Sequence, residues 1–63
     1  MSYSEWIRDT LHELRAHAQA QGLEEADDAL RQTIIRVSLE ADIPTLLSVG
    51  DLTKDQDGIM GRV

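Results

Sequence analysis

The stretch at residues 33–44, "TIIRVSLEADIP", decides the fold because two different periods run through it. From Ile35 onward, Ile35, Val37, Leu39, Ala41 and Ile43 alternate with Arg36, Ser38, Glu40 and Asp42, which is the period of a half-buried strand. The same segment also carries Ile34, Val37 and Ala41, which continue a helical series begun by Leu23, Ala26 and Leu30. A strand would need a pairing partner that only the short C-terminal segment could supply. The helical series, by contrast, holds its register for about five turns. Helix is therefore the favoured reading and strand the alternative. On a helix, Ile35 and Leu39 stand about 140° and 180° from Leu30, so both point away from the stripe.

Upstream, Tyr3, Ile7, Leu11, Leu14 and Ala18 recur at helical spacing on one narrow face. Extending that stripe past Gly22 meets Gln21, Glu25, Asp28 and Gln32, all polar, whereas the apolar residues sit roughly 140° away. A break at Gly22 removes the conflict. Glycine is favoured just beyond a helix end, where Leu23 can fold back on Ala18. The first helix begins with Ser2 and Glu5 in capping-box spacing, with Met1 and Trp6 placed for a hydrophobic staple. The second opens on Glu24, Glu25, Asp27 and Asp28, negative charges at the positive end of its dipole. It must end by Ile43, because Pro44 disfavours helix in the residue before it. The expectation is an all-α antiparallel hairpin with helices at about 3–21 and 23–42. The hairpin unit is residues 1–43, followed by an irregular tail over 44–63.

The core of such a hairpin is thin. With 63 residues the chain has room for one domain, and one of this size buries only about 60% of its unfolded surface. There is no cysteine, so disulfides and thiolate chemistry are excluded. Leu, Ile and Val make up 16 of the 63 residues, enough for a charged chain to fold. Closure by a second copy into a homodimeric four-helix bundle is the expected remedy. Ile35, Leu39 and the apolar tail would contribute to the dimer seam or to a partner site. No apolar run could span a bilayer and no signal sequence is legible, so no membrane association and a cytoplasmic location are expected. The net charge of -6 disfavours general attraction to phosphate backbones.

Constellations that could carry chemistry are sparse. "TKDQDG" at 53–58 has Asp55, Asp57 and Gly58 of a calcium loop but Thr53 at its first ligand position, and reads better as an acidic turn. Asp57-Gly58 could also form a two-residue turn between short strands. His12 and His17 are five residues apart and diverge on a helix. His12 reads as a solvated surface residue, and His17 as flanking the core face with Glu13 one turn before it. Glu5, Asp9 and Glu13 form a solvated acidic column, and Asp27 and Asp28 are spaced to pair with Arg31. No catalytic constellation, metal site or cofactor site is expected.

One stripe supports a sharper reading. Arg8, His12, Arg15 and Gln19 share a face of the first helix, and two such stripes in a dimer, with help from Arg31 and Arg36, could meet phosphates. In length and hairpin plan the chain resembles the Rop class of dimeric RNA-binding bundles, in architecture alone, with no shared motif and no residue role carried over. The leading expectation is instead a small acidic, non-enzymatic adaptor or regulator. It would pair with itself and bind an unidentified protein through the second helix and the tail, with Ile35, Leu39, Leu46, Leu47 and Trp6 as contacts. A nucleic-acid regulator using Arg8, His12 and Arg15 is the alternative.

Overall fold

Residues 2–53 are described in a computed structural model, and their regular structure is entirely helical. Two helices of 18 residues each, α1 (Tyr3–Ala20) and α2 (Glu24–Ala41), pack against one another as a hairpin. The segment with two periods is thus helical through Ala41, and the strand reading of 35–43 falls away. The Met1 half of the staple, the 53–58 loop beyond Thr53 and the Asp57-Gly58 turn lie outside the described residues.

The helix ends follow local chemistry. At the start of α1 the Ser2 hydroxyl accepts the Glu5 N–H at 3.2 Å while the Glu5 carboxylate accepts the Ser2 N–H at 3.4 Å, so two orphan donors are satisfied reciprocally. At its end Gly22 adopts φ +71, a region that side chains strain to reach. Leu23 N–H then donates to Ala18 O at 2.9 Å and Gly22 N–H to Gln19 O at 3.1 Å, the paired closure of a Schellman turn. α2 ends the same way with aspartate in place of glycine. Asp42 sits at φ 56, and Ile43 N–H reaches Ser38 O at 3.0 Å. Aspartate tolerates the left-handed region better than most residues do, and Pro44 follows two positions later.

The buried side of each helix differs from the expected stripe. In α1 the buried residues are Arg8, Arg15 and Ala18; Leu11 is half-buried, and Tyr3, Ile7 and Leu14 are exposed. In α2 they are Arg31, Ile34 and Ser38, while Leu30, Val37 and Ala41 are half-buried and Leu23 and Ala26 exposed. At 100° per residue the buried directions are rotated by roughly 70° from the apolar stripes in both helices. In an antiparallel pair the two rotations carry toward the same side of the hairpin. The cause is the segment after Pro44, which runs back along that side and draws three arginines into the interior.

Within the tail, residues 43–48 are irregular and 49–53 are helical, a turn not anticipated from the glycine-punctuated sequence. Ser48 caps it: its hydroxyl accepts the Asp51 N–H at 3.2 Å and its carbonyl accepts the Leu52 N–H at 3.1 Å. Leu46 occupies φ 60, a strained value for a leucine, worth about 1–2 kcal/mol.

Ser38 is 1% exposed and its hydroxyl has no hydrogen-bond partner among the described residues. A buried hydroxyl without a partner is unfavourable, and serine is a poorer helix former than alanine. Ser38→Ala is therefore expected to raise the unfolding free energy by about 0.5–1.5 kcal/mol in denaturant titration. A loss of stability would show that the hydroxyl is satisfied.

Candidate interaction surfaces and the arginine latch

The residues of the basic stripe are not a free cationic face. They hold the tail. Arg8 donates from Nη1 to the Pro44 carbonyl at 3.0 Å and pairs with Asp9 at 2.9 Å. His12 Nε2 lies 2.7 Å from the Thr45 carbonyl. A carbonyl can only accept, so Nε2 carries the proton in that contact. One turn on, Arg15 makes a two-pronged pair with Asp51, Nη1 to Oδ2 at 3.0 Å and Nη2 to Oδ1 at 2.9 Å, and its Nε donates to Asp27 of α2. Arg31 donates to Asp28 at 2.7 Å and, from Nη1, to the backbone carbonyl of Asp51 at 3.1 Å.

Asp51 is thus the centre of the latch, gripped by Arg15 through its carboxylate and by Arg31 through its carbonyl. Two-pronged arginine–carboxylate pairs are the strong, orientation-specific kind. The charge-assisted hydrogen bonds from Arg15, opposed by burial and helped by Ser48, pull the Asp51 carboxyl down to about 2 from its ordinary 3.8. In the other direction Asp51, ahead of Asp27, holds the Arg15 proton more tightly than an ordinary guanidinium is held. Asp27 and Asp28, both spaced to pair with Arg31, divide their work: Asp28 takes Arg31 within α2, and Asp27 crosses to Arg15 on α1. Sequence reasoning overlooked Asp51. The available signal was the Ser48-x-x-Asp51 spacing, which marks a helix start and places Asp51 in the first turn.

The expected partner contacts are split by the fold. Leu39 is 75% exposed and Ile35 half-buried, and together with Gln32, Arg36 and Glu40 they line an open groove along α2. On the tail, Leu46, Val49 and Leu52 are exposed while Leu47 is half-buried. Trp6, also exposed, belongs to the opposite edge of the hairpin, on α1 away from the tail. The groove sets the apolar Ile35 and Leu39 beside the polar Gln32, Arg36 and Glu40, a mixed surface able to seat an amphipathic segment and orient it by charge. Among the described residues no group of three His, Asp or Glu could hold a metal, and no helix is long and apolar enough to cross a membrane. Comparison with known protein families, with curated proteins and with solved structures gives no match.

The latch makes a definite prediction. Asp51→Asn keeps the shape but removes the charge that Arg15 requires, so it should lower the unfolding free energy at pH 7 by about 1–2 kcal/mol. Because the folded value lies below the ordinary one, the Asp51 contribution is complete above about pH 4 and fades as pH falls toward 2. The side chain is 27% exposed, which limits that contribution to about 1–2 kcal/mol. Wild type and Asp51→Asn should therefore converge in stability between pH 4 and 2. Parallel curves throughout would place the stabilising charge elsewhere.

Proposed function

We propose that the protein is a small acidic, non-enzymatic protein–protein interaction module, an adaptor or regulator that binds its partner through α2 and the exposed apolar residues of the tail. The carrying observation is Leu39, a large apolar side chain left 75% exposed in a groove with Ile35. Apolar residues flanked by charge in this way suit the groove mode of peptide recognition, in which an amphipathic segment lays its apolar face against them. Leu46, Val49 and Leu52 extend the apolar surface onto the tail. The module acts as a homodimer of hairpins closing a four-helix bundle, since the hairpin alone buries only Ala18 and Ile34 as apolar core among the described residues.

The nucleic-acid reading is weaker on this geometry. Arg8, His12 and Arg15 would have to leave Pro44, Thr45 and Asp51 before meeting a phosphate. Releasing a buried guanidinium from its carboxylate is strongly unfavourable.

The test is selection from a display library of amphipathic peptides, scored against wild type and against the double variant Ile35→Ser with Leu39→Ser. Leu39 lies away from the buried side and Ile35 at its margin, so the variant should keep most of its helix content while selected peptides lose at least about tenfold in affinity. Binding should change little between low and moderate salt, in contrast to the steep loss that phosphate contacts show. Peptides that bind both forms equally, or a selection that enriches none, would defeat the proposal.

A further inference from the structure

Resting on the dimeric assembly proposed above, we infer that the second copy docks on the side of the hairpin opposite the tail, not on the Ile35–Leu39 groove. Three pairs of residues define that side: Tyr3 with Ala41, Ile7 with Val37, and Leu14 with Leu30. Within each pair both members are equally far along the chain from Gly22, so they stand level across an antiparallel hairpin that turns there. They form three apolar rungs two helices wide. The α1 members are exposed, Tyr3 at 86%, Leu14 at 48% and Ile7 at 40%, and the α2 members are half-buried.

Two observations identify the occupant as another copy of this chain. First, the face carries little formal charge in a chain with 18 charged side chains and a net charge of -6, with Arg36 and Glu40 beside Val37 only at its edge. Within about 50° of Leu14 on α1 and of Leu30 on α2 there is no Asp, Glu, Lys or Arg, and the intervening Thr10 is neutral. Two copies meeting elsewhere on the acidic surface would oppose like charges, whereas here the charges at the edge are Arg36 and Glu40, one of each sign. A basic partner would be drawn to the acidic faces and gain nothing from this one. Second, the tail already covers the other side of the two-helix layer. A symmetric dimer needs one self-complementary patch, and a two-helix layer open on one side, meeting its own copy, gives the four-helix arrangement.

Light scattering on a sizing column and sedimentation over a range of concentrations test this with three proteins. Wild type should run at twice the monomer mass. Leu14→Glu places a carboxylate in the seam of each copy and should raise the dimer dissociation constant by about 100-fold or more while keeping its helical dichroism. Ile35→Ser with Leu39→Ser should remain a dimer. If Leu14→Glu loses helix, Thr10→Glu at the centre of the same face gives the same readout from a position already polar. A dimer that survives both face substitutions, or that dissociates only in the Ile35/Leu39 variant, overturns this face assignment and leaves the dimer standing. A monomeric wild type at every concentration overturns both.

Discussion

Everything in this fold depends on a requirement of buried guanidinium groups: a charge taken out of water must be paired and hydrogen-bonded. Arg8, Arg15 and Arg31 are 7%, 6% and 1% exposed, and each is hydrogen-bonded to the segment that begins at Pro44. Pro44 supplies a carbonyl to Arg8, and Asp51 supplies a carboxylate to Arg15 and a carbonyl to Arg31. The tail is held to the hairpin largely by oriented polar contacts. Three of its leucines and valines remain exposed. Such a latch contributes specificity of position more than bulk stability, since a buried ion pair roughly offsets its own desolvation.

The latch also makes the hairpin two-sided. By drawing the arginines inward it rotates the buried seam away from the apolar stripes, and those stripes are left facing the side without a tail. The apolar rungs there and the groove around Leu39 are adjoining surfaces, with Gln32, Arg36 and Glu40 at their border. One is mainly apolar; the other sets Ile35 and Leu39 beside Gln32, Arg36 and Glu40.

Much of the helical architecture was legible because it rests on local rules. Ser2 and Glu5 set the start of α1, Gly22 its end, and Pro44 the limit of α2, each through backbone chemistry that acts within a few residues. The apolar stripes were also read correctly as stripes. Their destination was not, because periodicity reports that a face avoids water and says nothing of which neighbour covers it. Arg8, His12 and Arg15 read as a free cationic face for the same reason: their partners lie more than thirty residues away, at Pro44, Thr45 and Asp51, and pairing at that separation leaves no period in the sequence. Trp6 and Leu39 are both expected partner contacts on the sequence alone, yet they belong to opposite edges, a distinction that required the direction of the tail.

A double-mutant cycle between Arg15 and Asp51 bears most directly on the central claim. Arg15→Met retains the apolar stem, Asp51→Asn the shape, and denaturant unfolding of wild type, both single variants and the double gives the coupling with Asp27 common to all four. A coupling of about 1.5 kcal/mol or more is expected for a two-pronged, largely desolvated pair. Additive effects, with coupling near zero, would mean that the tail is not held by this contact and that the arginines are buried for another reason.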